Sequence, residues 1–185
     1  MKKIVWIALL CFGLVGAART VTEHRSPSTA KIHWITLEEA YQKIQVEPKK
    51  VFIDVYTDWC GWCHRMEATT FSMPIIANYM NQKYYCVKLN AEQKTDIRLG
   101  NDVYRYVPQG SRGYHEAAAA LLQGRLSFPT VVFLDEKFRI IQPLPGYQDA
   151  ASFHRVALFF GEDYYKKITW EQYLAKYDSI VAARQ

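Results

Sequence analysis

The sequence predicts an α/β domain in which a central mixed β-sheet is flanked by helices. Short runs of β-forming residues alternate with segments of helical periodicity, which is typical of layered α/β domains. The chain has 185 residues, a length that fits one domain. Half of the residues are hydrophobic and 22% are charged, which excludes a disordered chain and allows a sizeable core.

The N-terminus has the features of an export signal. Two lysines precede an uncharged run, residues 4–18, that ends in the small residues Gly16-Ala17-Ala18 and predicts a signal peptide cleaved after residue 18. A retained membrane anchor is an alternative, although a spanning helix needs about 20 apolar residues. A lipid-acceptor role for Cys11 is a second alternative, although Leu10 before it is a poor fit to the usual small residue.

Export would change the charge and cysteine counts. Removal of residues 1–18 lowers the formal net charge from +5 to +3, which gives no reason to expect a nucleic-acid partner. Residues 19–31 are polar and predict a flexible leader, followed by one domain over residues 32–185. The remaining cysteines would work in an oxidising compartment, which is the periplasm if the source is a Gram-negative bacterium. They are Cys60, Cys63 and Cys86.

The first half of the domain predicts helices around two buried strands. Thr36 and Glu39 form a capping box, and the apolar residues that follow recur at helical spacing. In chain order, the pattern then predicts a strand over Val51–Tyr56, helices over Trp59–Phe71 and Pro74–Met80, and a strand over Tyr84–Asn90.

The second half predicts a hairpin, a strand pair and three helices. Gly100-Asn101 is a turn signal between two β-forming runs, residues 97–99 and 103–106. A helix over Tyr114–Gln123 would end at Gly124. The remaining elements are strands over Thr130–Leu134 and Phe138–Gln142, a helix over Ala150–Phe160, and a terminal helix from Trp170 to about Ala183 that opens with the capping box Thr169/Gln172.

The pair Cys60 and Cys63 is the strongest chemical signal. It follows a strand and opens a helix, where unpaired amides and the helix dipole stabilise a thiolate. Cys60 would attack a disulfide, and Cys63, one helical turn later, would resolve the mixed disulfide. A disulfide across so short a loop restrains the unfolded chain little, so chemistry explains the pair better than stability does.

The surroundings of this pair resemble the thioredoxin superfamily, and closely the thioredoxin-like C-terminal domain of DsbD-type thiol:disulfide interchange proteins. The resemblance spans most of residues 51–160, and its motifs stand in the family's order. They are Phe52–Cys63, Thr70-Phe71, Lys88-Leu89-Asn90, Phe128–Asp135 and Gly146. The resemblance implies a thioredoxin fold with a cis-proline loop before the strand that begins at Thr130.

The resemblance also implies roles for residues outside the cysteine pair. Pro129 would be the cis proline that lies against the active-site disulfide and shapes the substrate-binding edge. Asp54 would be the buried acid that moves a proton at Cys63, and its burial would raise its pKa toward neutrality. An exposed Asp at the end of a strand is the alternative. Lys88 would neighbour this acid, and supporting positions are Trp59, Gly61, Trp62 and Thr130.

The sequence departs from the family pattern in two places, one that concerns the redox potential of the cysteine pair and one that concerns the choice of partner. Trp62 replaces the proline that typical thioredoxins carry between the cysteines. Lys88 and Pro129 are 41 residues apart, about twice the usual separation, which predicts an insertion over about residues 91–113. This insertion would shape the choice of partner or be inert. A C-terminal extension, residues 161–185, is expected to pack Trp170, Tyr173 and Ile180 on the core.

The sequence therefore predicts an exported thiol:disulfide oxidoreductase. The resemblance favours a reductase, with oxidase and isomerase activity as alternatives. It implies cysteine-containing protein substrates and a membrane or thioredoxin-like redox partner. The Cys60–Cys63 pair would carry the electrons by cycling between dithiol and disulfide, with no organic cofactor or metal. No nucleic acid is expected as a partner, and we expect a monomer.

Three other hypotheses use the same residues. Cys60-Gly61-Trp62-Cys63-His64 also fits the attachment motif for c-type haem, with Met66, Met73 or Met80 as the second axial ligand. Cys60, Cys63, Cys86 and His64 have the right types for a zinc site, although Cys86 is better explained as a buried core residue. The third alternative is a non-catalytic binding module with a closed disulfide.

Overall fold

A computed structural model describes residues 30–183 of the chain. The predicted signal peptide and most of the predicted leader lie outside these residues. The strands are β1 (Trp34–Ile35), β2 (Lys50–Tyr56), β3 (Tyr84–Asn90), β4 (Ile97–Leu99), β5 (Asp102–Tyr104), β6 (Tyr106–Gln109), β7 (Arg112–His115), β8 (Thr130–Leu134) and β9 (Ile140–Pro145). The α-helices are α1 (Leu37–Val46), α2 (Gly61–Met66), α3 (Pro74–Lys83), α4 (Glu116–Leu121), α5 (Ala150–Gly161), α6 (Trp170–Leu174) and α7 (Tyr177–Ala182).

Five of the strands form the central sheet, in the order β1-β3-β2-β8-β9. The first three are parallel, and β8 and β9 run antiparallel to their neighbours, so the predicted mixed sheet is confirmed. Strand β1 was not predicted, because two residues are too few to show a period. The short loop after β2 leads from the middle of the sheet into α2, which positions the cysteine pair above a rigid layer.

Alternate residues of β2 serve two hydrophobic clusters, one on each face of the sheet. Phe52 belongs to the cluster that includes buried residues of α2, α3 and α5. Val51, Ile53 and Val55 belong to the cluster formed with α1 and α4. All seven residues of β2 except Tyr56 are buried, so the strand is covered by helices on both faces.

Most predicted elements are present, and several boundaries differ. The helix predicted from Trp59 begins at Gly61, because Cys60 caps it in an extended conformation. It continues beyond Met66 as a π-helical segment, Glu67–Phe71. The third helix extends beyond the predicted Met80 to Lys83. The predicted capping boxes at Thr36 and Thr169 are confirmed.

The strand predicted over Phe138–Gln142 begins later in the structure. Phe138 has φ +61°, a left-handed conformation that belongs to the turn between β8 and β9. The carboxylate of Asp135 organises this turn by accepting hydrogen bonds from the backbone N–H groups of Lys137 and Arg139, each at 2.9 Å. Pairing with β8 consequently runs over Ile140–Pro145.

The predicted insertion contains two hairpins where the sequence indicates one. The expected hairpin is β4–β5, and it ends at Tyr104. Tyr106 begins a second hairpin, β6–β7, where the sequence predicts a loop and the start of a helix. The helix predicted over Tyr114–Gln123 accordingly spans only Glu116–Leu121, because residues 112–115 pair with residues 106–109 and His115 caps the helix.

The C-terminal extension packs on the core as expected, but its helix is not continuous. Tyr173 is fully buried, and Trp170 and Ile180 pack against the same cluster. The last turn of α6 tightens, with the Lys176 N–H donating to the Tyr173 carbonyl at 3.0 Å. This turn separates α6 from α7.

Candidate active site

The cysteine pair occupies the turn between β2 and the first residues of α2. Cys60 and Cys63 are joined by a disulfide with an S–S distance of 2.11 Å and a Cα–Cα distance of 5.3 Å. The backbone N–H of Cys63 donates to Cys60 Sγ at 3.1 Å, so the first sulfur lies against the free amides of the helix N-terminus. Both residues are nearly buried, at 5% and 6% exposure.

Two exposed tryptophans flank the disulfide. Trp59 is 52% exposed and Trp62 is 56% exposed. The Trp59 ring contacts Phe128 edge to face at 6.0 Å between centroids, and the Trp62 ring contacts Tyr147 at 5.5 Å. Aromatic surface of this kind is common in binding sites for polypeptides, because it supplies large contact area with few rotatable bonds.

The loop before β8 forms the neighbouring wall of the site. The Phe128–Pro129 peptide bond is cis. The carbonyl of Pro129 accepts a hydrogen bond from the N–H of Gly146 at 2.8 Å, which links this loop to the turn after β9. The hydroxyl of Thr130 donates to the Ser127 carbonyl at 2.7 Å and closes the loop on itself. Phe128 and Tyr147, next to these two tied residues, contact Trp59 and Trp62, respectively.

Asp54 lies in the middle of the sheet with almost no contact with solvent. It is 3% exposed and occupies the same face of β2 as Phe52, the face that α2 covers. Its carboxyl oxygen is 3.9 Å from the ammonium of Lys88, its partner residue on β3. Burial raises the pKa of Asp54 to about 7; the charge of Lys88 opposes the rise, and the carboxylate of Glu67 adds to it.

Lys88 is shared between two carboxylates and two aromatic rings. Besides Asp54, it forms an ion pair with Glu67, which lies in the π-helical segment after α2. Its ammonium also lies 5.3 Å from the Trp34 ring centroid and 5.2 Å from that of Tyr56. Glu67 is not among the residues predicted from the sequence, although an acidic residue one turn beyond Cys63 on the same helix was a signal that could have identified it.

The structure does not bring the residues of the zinc hypothesis together, and it buries two of the three methionines of the haem hypothesis in the core. His64 Nε2 is 2.9 Å from the Asp58 carbonyl oxygen, and Met66 and Met80 are fully buried in the core. Cys86 pairs with Phe52 near the start of β3, whereas Cys60 lies beyond the far end of β2, so the proposed zinc ligands are not assembled. Within residues 30–183, no group of three His, Cys, Asp or Glu side chains is placed to hold a metal ion.

The inserted hairpin β6–β7 brings a residue to the site that no motif indicated. The guanidinium carbon of Arg112 lies 4.4 Å from the centroid of the Trp59 ring. At the second tryptophan, Arg65 lies 5.4 Å from the centroid of Trp62 and 5.9 Å from that of Tyr147. Arg65 is on α2 itself, but the approach of Arg112 depends on tertiary folding of the insertion.

No helix in the described part of the chain is long and apolar enough to cross a membrane.

A family model matches most of the domain. It is named Thioredox_DsbH, carries the description "Protein of unknown function, DUF255", and matches residues 21–142. Among curated proteins, spermatogenesis-associated protein 20 of Mus musculus is 33% identical over 60 residues. That match covers 32% of this chain and only 8% of the mouse protein.

Solved structures share the fold at low sequence identity. A structure described as "DsbH Oxidoreductase" has a TM-score of 0.53 and 16% identity, and covers 77% of this chain and 92% of its own. A thioredoxin from Thermus thermophilus has a TM-score of 0.51 and 18% identity, and covers 69% of this chain and 85% of its own. The predicted thioredoxin fold is thereby confirmed. The fold and the Cys60–Cys63 disulfide together support thiol–disulfide exchange as the general chemistry.

Proposed function

The chain belongs to the Thioredox_DsbH family, and from that premise we propose that it is an exported thiol:disulfide oxidoreductase that acts as a reductase. One observation carries the proposal: a disulfide-bonded cysteine pair at a helix N-terminus, next to a cis-proline loop and following the strand that holds a buried acid. A structural disulfide would need neither the loop nor the acid. The similar DsbH structure is described as an oxidoreductase, which agrees with this function.

The proposed reaction begins with the reduced pair. The thiolate of Cys60, stabilised by the Cys63 N–H and the helix dipole, attacks one sulfur of a substrate disulfide. This forms a mixed disulfide and releases one substrate thiolate, which takes up a proton. Cys63 then attacks Cys60 Sγ, which forms the Cys60–Cys63 disulfide and releases the second substrate thiol. Two electrons pass to the substrate, and a dithiol partner must return them.

Asp54 is proposed to move the proton in the resolving step. A carboxyl with a pKa of about 7 is a base strong enough to accept the proton of the Cys63 thiol and can release it again near neutral pH. Lys88 would limit the rise of this pKa, and Pro129 with Thr130 would hold the substrate-binding edge. Trp59, Gly61 and Trp62 would shape the surface around the reactive sulfurs.

The direction, location and partners complete the proposal. We infer cysteine-containing protein substrates, a membrane or thioredoxin-like partner that supplies electrons, no organic cofactor or metal, and a monomeric chain. Residues 1–18 would direct export and be cleaved off after residue 18, and the protein would be periplasmic in a Gram-negative source. The mass of the chain recovered from an exporting host tests the cleavage; a product that retains residues 1–18 would contradict it.

Insulin reduction with dithiothreitol as electron donor tests the central claim. The wild-type protein is expected to accelerate insulin precipitation, and Cys60→Ala is expected to abolish the acceleration. Cys86→Ala is the matched control, because this buried cysteine is remote from the pair and should leave the activity intact. Activity that survives in Cys60→Ala would refute the mechanism. A Soret band in the visible spectrum would instead support the haem hypothesis.

The reduction potential of the pair tests the direction separately. A value near that of thioredoxin, about −270 mV, supports a reductase, and a value near about −120 mV indicates an oxidant. Equilibration of the protein with glutathione or dithiothreitol buffers gives this value directly. An oxidising value would leave the exchange chemistry in place and overturn only the proposed direction.

A further inference from the structure

The hairpin β6–β7 is fixed to the sheet at the end that carries the active site. His115, the last residue of β7, is fully buried, and its backbone N–H donates to the Ala91 carbonyl at 2.7 Å. The N–H of Ala91 in turn donates to the carbonyl of Tyr56, the last residue of β2, at 2.8 Å. The imidazole Nε2 of His115 is also 3.1 Å from the Thr95 carbonyl oxygen. The base of the hairpin is therefore anchored to the loops at the end of β2 and β3, next to the loop that leads to the cysteine pair.

The anchored hairpin supplies one of two cations that lie on the tryptophans next to Cys60 and Cys63. Arg112 covers the ring of Trp59, and Arg65 lies against Trp62 and Tyr147. Both arginines are exposed. Neither forms an ion pair with a carboxylate of residues 30–183, whereas Arg105 and Arg139 each pair with an aspartate. Stacking on an aromatic ring orients a guanidinium and leaves its N–H groups able to bind a carboxylate.

Two acidic side chains of the loops around the cysteine pair have other partners. Glu92 accepts a hydrogen bond from Trp59 Nε1 at 3.0 Å, and Asp58 accepts one from the Asn90 side-chain amide at 3.0 Å. They link the loop after β2 to the end of β3 and the loop that follows it, and they form no ion pair with either arginine. An extended polypeptide bound over the two exposed tryptophans would thus meet one guanidinium at Trp59 and another at Trp62.

We propose that Arg112 and Arg65 are specificity determinants, and that this surface binds polypeptide segments in which carboxylate side chains lie on both sides of the reactive cysteine. The inference rests on the proposed function and extends it to the class of substrate. It also gives the β6–β7 hairpin a role, which is to deliver one of the two cations. Rim charges of this type act mainly on the rate of association and on its salt dependence.

Model peptides test the proposal in single-turnover reactions with the reduced protein. Each peptide contains one cysteine, carried as a 2-pyridyl disulfide so that the leaving group has no charge, and it is flanked by Glu, Gln or Lys two positions to each side. The wild-type protein is expected to react about fivefold faster with the Glu peptide than with the Gln peptide, and this ratio should approach one between about 20 mM and about 300 mM NaCl.

Substitutions of Arg112 then test whether this arginine produces the preference for the Glu peptide. Arg112→Gln should lower the Glu-to-Gln rate ratio to about half or less, and Arg112→Glu should make the Lys peptide the preferred one. Arg155→Gln is the matched control: Arg155 also covers an aromatic ring, Tyr177, at 5.2 Å, but it lies on α5 and belongs to the C-terminal packing. It should leave the ratio unchanged.

The outcomes separate this inference from the proposed function. Equal wild-type rates for the three peptides, or an unchanged Glu-to-Gln ratio in both Arg112 variants, would overturn the inference and leave the reductase intact. The inference would also fail if Arg112→Gln slowed all three peptides equally, because the arginine would then only support Trp59. A reduced wild-type protein that reacts with none of the peptides would overturn both proposals.

Discussion

The carboxyl group of Asp54 and the ammonium of Lys88 face each other across two neighbouring parallel strands, with 3.9 Å between Oδ2 and Nζ. The lysine is the cation nearest to a carboxyl that has almost no access to water. It is also held by Glu67, which competes for the same ammonium. The sheet therefore contains an acid whose protonation depends on a third residue at the surface of the active-site helix.

Asp54→Asn is expected to stabilise the oxidised protein at alkaline pH. Because burial raises the pKa of Asp54 from 3.8 to about 7, the folded state retains a proton that the unfolded chain loses between these values. Wild-type stability must then fall as the pH rises through this window. At about pH 8 the variant should be more stable by on the order of 2 to 4 kcal/mol, and at about pH 5, which is closer to the unfolded-state pKa, by less than half as much. Urea unfolding across this pH range measures the difference.

Asp135→Asn provides the control with the opposite sign. Burial tends to raise the pKa of Asp135, but hydrogen bonds and the charge of Arg139 outweigh it and hold this pKa below its ordinary value. Asp135 therefore contributes stability above the unfolded-state pKa and loses it as the pH falls. Its replacement should destabilise the protein at about pH 8. An Asp54→Asn variant that unfolds like the wild type at both pH values would show that Asp54 is not a buried acid with a raised pKa.

Glu67→Gln is expected to shift the pH dependence of disulfide reduction toward lower pH. The substitution removes a charge that raises the pKa of Asp54 and frees Lys88 to interact with Asp54 alone. Lys88→Met should shift the profile toward higher pH, because it removes the charge that lowers this pKa. The rate of insulin reduction as a function of pH gives both midpoints. Shifts in the same direction for the two variants would contradict the coupling.

Gly113→Ala is expected to distort the second inserted hairpin. A Cβ at this position would overlap the hydroxyl of Tyr106 and the carbonyl oxygen of Val107, and the backbone carbonyl cannot move without opening β6–β7. A loss of about 1 to 3 kcal/mol is typical of such overpacking. Gly61→Ala is the control for stability, since no atom beyond its chain neighbours and its own helix backbone lies within 4 Å of the added Cβ. Thermal unfolding compares the two, and equal melting temperatures would be inconsistent with the close approach at Gly113.

Tyr173→Ala tests the contribution of the C-terminal extension. The ring is fully buried against Phe159 and Trp170, at centroid distances of 5.0 and 5.4 Å, and its hydroxyl donates to the Arg155 carbonyl at 3.0 Å. Removal of such a side chain costs about 3 to 5 kcal/mol. Leu174→Ala, at the exposed next position, should cost less than about 0.5 kcal/mol. Similar losses for the two variants in denaturant unfolding would show that Tyr173 is not a core residue.

The sequence predicted those features that depend on neighbouring residues. The buried strands β2, β3 and β8, the capping boxes at Thr36 and Thr169, and the cysteine pair at a helix start each have a local pattern. The hairpin β6–β7 was missed because Pro108 and Gly110 interrupt its alternation and the alanines after His115 favour a helix. Its position depends on a hydrogen bond between His115 and Ala91, which are 24 positions apart in the chain.

The candidate site divides in the same way. Asp54 was identifiable as a charge within an apolar run, and the resemblance to thioredoxins supplied Pro129 and Lys88. No local pattern identified Arg112 as a site residue, because the sequence around an exposed arginine does not show which part of the folded protein the arginine contacts. Its contact with Trp59 is a property of the folded insertion alone.

The burial of Cys86 gives the protein a convenient internal reference for thiol chemistry. Burial raises the pKa of this thiol to about 12, so almost none of it is thiolate near neutral pH. An alkylating reagent applied to the native reduced protein should therefore modify only the active-site pair, and the third cysteine should react only after denaturation. Counting added masses before and after unfolding would then report the redox state of the pair in cell extracts, without any substitution in the chain.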